Sequence, residues 1–478
     1  MPNTPSPCAM VWFREDLRLG DNPALAAAAA TGLPLLCVFV CDDASEGLRP
    51  CGAAAGWRLD RALAALEADL ARFNGRLHFL RGASDALLPK LARAAHATKA
   101  CFSRRHGGAE REIDARVAAR LTEAGAEVAS FNASLLVEPE QLGPRPGGYF
   151  KVFTPFWRAV RERLLHAEPT PAPQALAFAR WPSGVEQLTR SSLELSPSHP
   201  NWARDFPDPD AGEAGARERL RAFIEERLEG YETMRDRIDC DGASKLSAHL
   251  HFGEISPRQV VAALKGRPAE KFLIELCWRE FSTHLLHARP DLPWVNFNAR
   301  FDHFPYRDDP EALEAWKRGR TGYPIVDAAM RQLWRTGFLA NRARMVAASF
   351  LTKHLLIDWR EGEEWFWDTL TDADPANNAV SWQWVAGSGP DAAPFFRIFN
   401  PVLQGEKFDP EGEFVKTFCP ELARLPARYI HRPWSAPANV LEEAGVTIGR
   451  DWPAPIVDHD FARRRALDAF GAIAAAGH

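Results

Sequence analysis

The spacing of apolar positions changes character partway along the chain. Up to about residue 134, short apolar runs alternate with longer segments of helical period. Met10–Phe13 and Leu33–Val40 are unbroken apolar runs too short for typical helices, so they read as buried strands. Leu77–Leu80, Ala100–Ser103 and Glu127–Phe131 follow as further strands. Between them lie helical segments: one opening near Asp21, then Trp57–Phe73, Asp85–Ala97 and Glu110–Ala124. Asn22 is placed to cap the first of these, with Pro23 at its first helical position. Strands alternating with helices predict a parallel sheet covered on both faces, a Rossmann-like α/β domain over residues 1–134. Such sheets take ligands at the carboxyl ends of their strands. The one G-x-G-x-x-x run nearest a nucleotide loop, Gly387–Ala392, follows no strand and carries a proline, so it is rejected as one.

From residue 135 to 204 the pattern turns irregular. Prolines and glycines crowd residues 144–148, and Pro169, Pro171, Pro173, Pro182 and Pro197 follow, which reads as a long surface connector. From 205 to 478 the segments are long and helical in period, with prolines and glycines at their junctions, so the second domain is expected to be all-α.

Composition narrows the class. A chain of 478 residues exceeds one ordinary core, and no apolar run reaches the roughly 20 residues that a membrane-spanning helix needs. The first residues lack the basic-then-apolar order of a secretory leader, and the chain ends at His478 without a long tail. Eight cysteines without a C-x-x-C pair suit reduced thiols in a cytoplasmic, metal-free protein. The net charge of −5 argues against uniform nucleic-acid binding but leaves room for a local basic patch. Tryptophan is the anomaly: of sixteen, twelve lie beyond residue 200.

Several groupings there carry chemistry. Glu275, Trp278 and Arg279 fall at i, i+3 and i+4, so one helix face presents a carboxylate, an indole and a guanidinium. Asn341 and Met345 are also i and i+4, within a stretch from Arg331 to Ile357 that holds five basic residues and no acid. Read alone, the first group is equally an ion pair beside a core tryptophan; in the second, Ala and aliphatic positions leave little room for a solvated face, so a phosphate-facing or cofactor-facing surface is expected at least as readily. Gly242-Ala-Ser-Lys-Leu-Ser247 is a small-residue loop entering a helix, a sensible anion site. Asp372-Ala-Asp-Pro-Ala-Asn-Asn-Ala-Val-Ser-Trp-Gln-Trp384 puts two carboxylates, two amides and two indoles within thirteen residues.

Taken in order with Thr321–Arg331, Asn341–Met345, Asp358–Arg360, Phe396–Pro401 and Gln404–Asp409, these segments resemble the flavin-binding core of the photolyase/cryptochrome family. The match is nearest to a class I-type or closely related cyclobutane pyrimidine dimer (CPD) photolyase. The resemblance implies an antenna domain, a connector and an all-α domain holding FAD. It implies light-driven repair, in which reduced FAD passes an electron to a pyrimidine dimer flipped out of DNA; the base-flipping class is a general one. By resemblance Glu275, Trp278, Asn341, Met345 and Trp384 line the lesion pocket, with Glu275 on the carbonyl edge of the dimer and Trp278 on its apolar ring. Arg235, Arg342, Gln404 and Lys407 match DNA-facing positions, as does Glu275.

The cofactor positions implied in the same way are Tyr231, the loop residues Ala243, Ser244, Lys245, Leu246 and Ser247, then Phe272, Arg279, Arg344, Asp372, Asp374 and Asn378. Arg344 pairs with Asp372, and Asn378 faces flavin N5. Ala243 stands where the family usually has Thr, and Phe272 where it often has Trp. Trp382 and Trp359 match the first two members of a tryptophan relay. Its third member falls at Tyr306, so photoreduction either becomes dependent on phenol deprotonation or exits through another residue such as Trp316. The first domain is expected to hold methenyltetrahydrofolate, an 8-hydroxy-deazaflavin or no antenna. A monomer acting on UV-damaged DNA, away from membranes, completes the reading. Alternatives are a bacterial cryptochrome-type sensor, against which Glu275 speaks, a (6-4) photoproduct photolyase, whose expected pocket histidines are absent from Arg342–Met345, and a non-enzymatic DNA-binding flavoprotein.

Overall fold

The computed structural model describes residues 6–145, 147–164, 168–391 and 396–475. Met1–Pro5, Pro146 of the proline-rich stretch, Ala392 of the rejected glycine run and the final residue His478 lie outside the described residues. No helix among those described is long and apolar enough to cross a membrane.

Five parallel strands form one sheet in the order β3-β2-β1-β4-β5, with β1 at Cys8–Phe13, β2 at Leu35–Cys41, β3 at Leu77–Arg81, β4 at Ala97–Ser103 and β5 at Glu127–Phe131. Val11 of β1 pairs with Cys37 on one side and Cys101 on the other. The apolar runs are continuous because both faces are covered. Ala9, Val11 and Phe13 pack with Leu25 and Leu63, whereas Met10 and Trp12 pack with Leu88, Leu91 and Val117 on the opposite face. Asn22 caps the helix Pro23–Ala29, its Oδ1 accepting from the Leu25 N–H at 2.9 Å.

The connector holds more order than its prolines suggest: a twelve-residue helix, Phe153–Leu164, buries Phe153, Phe156, Val160 and Leu164. Past it, every element among the described residues is helical.

Chain density divides the molecule at points other than 134 and 204. One compact unit comprises everything to Trp202 together with Asp208–Leu228 and Ser244–Pro290; the other comprises Ala203–Pro207, Glu229–Ala243 and Asp291–His478. Polar ties explain why three helical stretches group with the sheet. The Glu213 carboxylate accepts from the Leu19 and Gly20 N–H groups at 2.8 and 3.1 Å. Glu254, wholly buried, accepts from Arg58 and from the Gly212 N–H. Glu280 accepts from the Leu136 N–H at 2.8 Å, and Arg279 donates to the Ser134 carbonyl at 2.9 Å. Buried polar groups must be paired somewhere, and these pair with the N-terminal segment.

Candidate functional site

In the first unit the helix Glu270–Ala288 carries the predicted face. Glu275 is partly exposed and lies 3.3 Å from Lys271, one turn earlier. Trp278 stacks flat on Phe153, ring centroids 3.9 Å apart and planes 6° from parallel. Arg279, expected beside the cofactor, spends its guanidinium on the carbonyls of Ser134 and Leu250 and on Glu280. That makes it a strut within the unit. Phe272 is buried against Phe223, centroids 4.7 Å apart. Burial pushes the neighbouring Glu280 carboxyl up to about 7, against the pull of Arg279.

The Gly242–Ser247 loop is shaped by two backbone constraints. A Cβ on Gly242 would sit 2.4 Å from the Met234 carbonyl oxygen, so only glycine fits there. Lys245 adopts φ +54°, a left-handed conformation rare outside glycine and a form of strain that gathers at ligand-holding loops. The helix that follows, Ser247–His251, is a single turn of five residues. Its dipole is therefore small, and anion binding by this segment rests on the loop amides and hydroxyls.

The second unit holds the remaining residues. The helix Asn341–Ser349 starts at an exposed Asn341, whose amide nitrogen lies 3.6 Å from the Met345 sulfur. Arg344 donates to Asp372 at 2.7 Å and to the Leu339 carbonyl at 2.9 Å. Asp374 caps the helix Pro375–Ala386 through the N–H groups of Ala376 and Asn377. Asn378, buried, is not a cap: its amide nitrogen donates to the carbonyl and the carboxylate of Glu363, at 3.0 and 2.8 Å.

Arg342 lies 2.8 Å from Asp236 and 4.3 Å from the centre of the Phe408 ring. Lys407 lies 5.1 Å over the same ring, and Arg235 approaches Asp236 at 4.0 Å and sits 5.8 Å over the Tyr231 ring. Phe408 and Asp236 thus gather three of the predicted DNA-facing cations. Gln404 is on the same helix as Lys407, Pro401–Phe408, with its Oε1 buried and unpartnered.

The basic stretch as a whole is not a phosphate-facing surface. Arg331 pairs with Glu421, Arg335 donates to the Thr417 carbonyl, and Lys353 is buried. Helices and a π-helical turn, Phe350–His354, distribute these cations over different faces. Lys353 donates to the Arg397 carbonyl and borders a cavity with Ser349, Trp384, Phe396, Phe399 and Phe470. Burial, with Arg397 adding to it, pushes its amine down to about 7.

Trp382 is buried, edge-on to Phe366 at 4.9 Å and to Trp316 at 6.1 Å. Trp359 is wholly buried, its Nε1 donating to Asn296 at 2.9 Å. Tyr306 is half-buried against Phe304, and burial raises its phenol well above the usual range.

Sequence reasoning missed Glu363, Asp236 and Lys353, and placed Phe153 only within Phe153–Arg158, a connector segment that resembles the family's at the same place. Asp236 offers no signal beyond its neighbours. Glu363 sits in an acid-rich run, Glu361-Gly-Glu-Glu364, that reads as solvated. Lys353, flanked by apolar residues in Phe350–Leu356, could have been flagged as buried.

Two family models match this chain. A family model described as "FAD binding domain of DNA photolyase" matches residues 272–472, and one described as "DNA photolyase" matches residues 9–174. The deoxyribodipyrimidine photo-lyase of Agrobacterium fabrum is 47% identical over 473 residues, covering 97% of this chain and 98% of that protein. Cryptochrome-2 of Arabidopsis thaliana is 36% identical over 476 residues, covering 95% of this chain and 77% of that protein. Among solved structures, a bacterial class III photolyase from Agrobacterium tumefaciens matches with a TM-score of 0.93 at 46% identity, over 99% of both chains.

Proposed function

This chain belongs to the DNA photolyase family, and from that premise we propose that it repairs cyclobutane pyrimidine dimers in UV-damaged DNA, using FAD and light. The observation that carries the reading is the 47% identity to a deoxyribodipyrimidine photo-lyase along almost the whole of both chains, against 36% to a cryptochrome. The 46% identity and TM-score of 0.93 also favour the class III group over the class I type as its subclass.

The residues present fit FAD. Arg344 and Asp372 form an ion pair at 2.7 Å, and the Asn378 amide is fixed by Glu363. The Gly242–Ser247 loop offers hydroxyls and a strained backbone to a diphosphate. When bound, reduced FAD supplies under blue light the electron that opens the cyclobutane ring, and takes it back. Everything else is positioning and electrostatics from the chain. Glu275 meets the polar edge of the dimer and Trp278 offers an apolar wall to a ring that has lost its planarity; by the same family resemblance Trp384, Asn341 and Met345 are lesion-facing residues. Arg235, Arg342, Gln404 and Lys407 meet the DNA backbone, while Tyr231, Ser244, Ser247, Phe272 and Asp374 serve the cofactor and Arg279 braces its helix. The eight cysteines form no disulfide among the described residues and five are buried, which supports placement in a reducing cytoplasm. The chain acts as a monomer in this reading.

The test is repair of an oligonucleotide with one dimer, followed under blue light and in the dark with chemically reduced protein. Light-dependent return of the intact pyrimidines is expected. Glu275→Ala is expected to keep FAD and lose most of that yield. Retained FAD with no repair by the parent protein would sink the enzymatic reading and leave light sensing in its place.

A further inference from the structure

We propose that Phe153, on the connector helix, is a positioning residue for lesion recognition: with Phe281 it clamps the Trp278 indole so that one ring face is left for the dimer. The inference rests on the repair function above and adds to it the device that makes the wall rigid.

The geometry is a three-ring clamp. Phe153 covers one face of the indole at 3.9 Å and 6°. Phe281, one turn on from Trp278, stands nearly perpendicular to both rings, at 5.7 Å from Trp278 and 5.8 Å from Phe153, each at 78°. Phe156 backs the assembly, 5.2 Å from Phe281 and 6.4 Å from Phe153. Phe153 is 7% exposed, Phe156 1% and Phe281 0%, whereas Trp278 stays partly accessible. The three phenylalanines are core, and the indole is the ring at their margin.

The stacking distance is informative. Near-parallel rings at this separation overlap strongly, an arrangement less favoured electrostatically than an edge-to-face one. It is held here by the two near-perpendicular contacts of Phe281 and by burial. Turning the indole about its own side-chain bonds would break the stack and the Phe281 contact together.

A pyrimidine dimer gains from such rigidity. Its saturated ring cannot overlap a π face as a flat base can, so shape and a preset plane decide how well it packs. A wall that had to be ordered on binding would lose affinity to the entropy of immobilising a side chain. Phe153 orders it beforehand, and Glu275, three residues before Trp278, is then held in fixed relation to the wall. The connector therefore contributes to substrate preference as well as to linking domains.

The experiment compares binding of dimer-containing and undamaged duplex by the full-length FAD-loaded protein, in the dark. Phe153→Ala is expected to weaken dimer binding by about two- to tenfold, the range of an aromatic pair, and leave undamaged duplex unchanged. Repair of dimer already bound should keep its yield, so KM rises and the single-turnover rate does not. Phe153→Tyr should restore the preference, because it keeps the ring. Leu164→Ala, buried at the far end of the same helix, separates positioning from mere stability and should lower Tm without altering preference. Should Phe153→Ala fail to fold, Phe153→Leu carries the same comparison. Equal losses for both duplexes, or loss of preference in Leu164→Ala, would overturn the proposal; failure of dimer repair in the parent would instead overturn the function on which it rests.

Discussion

The Asn378 amide nitrogen donates to Glu363 twice, to its backbone carbonyl at 3.0 Å and its carboxylate at 2.8 Å. Both partners accept only, so the NH2 end of the amide must face Glu363 and the carbonyl oxygen is the end left over. Asn378 and Glu363 are 8% and 3% exposed, so the orientation is fixed in a dry setting. With Asn378 beside flavin N5, as the family resemblance implies, it presents an acceptor there. An acceptor suits a protonated N5 and hence the reduced cofactor. We predict that Glu363→Gln, which lets the amide turn, lowers the flavin midpoint potential. Spectroelectrochemical titration of the loaded protein checks this, and an unchanged potential would show that Glu363 does not set the orientation.

The sheet was legible because burial on both faces leaves apolar runs that no helix of that length would show. Its least legible edge is the start of β4, which begins at Ala97 and not Ala100, since Thr98 and Lys99 are the outward residues of a strand end. The connector helix was hidden by surrounding prolines, although Phe153, Phe156, Val160 and Leu164 mark its buried stripe. In the candidate site, residues on one helix turn were readable, among them Glu275 with Trp278 and Asn341 with Met345. Partners distant in sequence were not. Asp236 meets Arg342 across more than one hundred residues, and nothing local distinguishes it from any surface acid. Arg279 shows the converse: the family resemblance pointed to a ligand, while its donors go to main-chain carbonyls and to Glu280.

Salt dependence of DNA binding follows from the Arg342–Asp236 pair. A free cation contacting a phosphate contributes about 0.9 to the slope of log affinity against log salt. Arg342 already lies 2.8 Å from a carboxylate, so meeting a phosphate replaces an ion pair as much as it releases counterions. Arg342→Ala should therefore flatten the slope by less than about 0.9, and Asp236→Asn should steepen it and tighten binding to damaged and undamaged duplex alike. Affinities measured across a salt series decide it. A full unit lost in Arg342→Ala, with no effect of Asp236→Asn, would mean that Asp236 does not compete with phosphate.

Lys353 predicts a pH effect on stability. Its amine is pushed down from 10.5 to about 7 in the folded chain, by burial first and by Arg397 second. A depressed pKa means that the folded state disfavours the proton. The contribution is complete above the unfolded value, diminishes as pH falls from about 10.5, and is gone below about 7. Across that window the slope approaches about 1.4 kcal/mol per pH unit. Lys353→Met removes the titrating group, so parent minus variant stability should fall with decreasing pH and level off near neutrality. Urea denaturation from pH 7 to 10 measures it, and parallel curves for the two proteins would refute the assignment.

The last prediction concerns the route by which oxidised FAD is photoreduced. Oxidation of a tyrosine is practical only when something takes its phenolic proton. Burial raises the Tyr306 phenol, the Asp358 carboxylate raises it further, and Arg360 opposes both. Asp358 is itself held by Arg360 at 2.9 Å, which makes it a poor proton acceptor. Trp382, which by resemblance matches the relay's first member, has an alternative partner in Trp316, with ring centroids 6.1 Å apart and both rings buried. Trp316 donates its Nε1 hydrogen to the Ala347 carbonyl at 3.0 Å and can be oxidised without losing it. Tyr306→Phe is therefore expected to leave photoreduction nearly unchanged and independent of pH. Trp316→Phe should slow it, and Trp382→Phe should nearly abolish it. Repair by protein reduced chemically beforehand should be indifferent to Tyr306→Phe and Trp316→Phe, because the repair electron never crosses the relay. Transient absorption separates the cases. A tyrosyl signal that forms after Trp382 is oxidised and vanishes in Tyr306→Phe would restore Tyr306 as the exit.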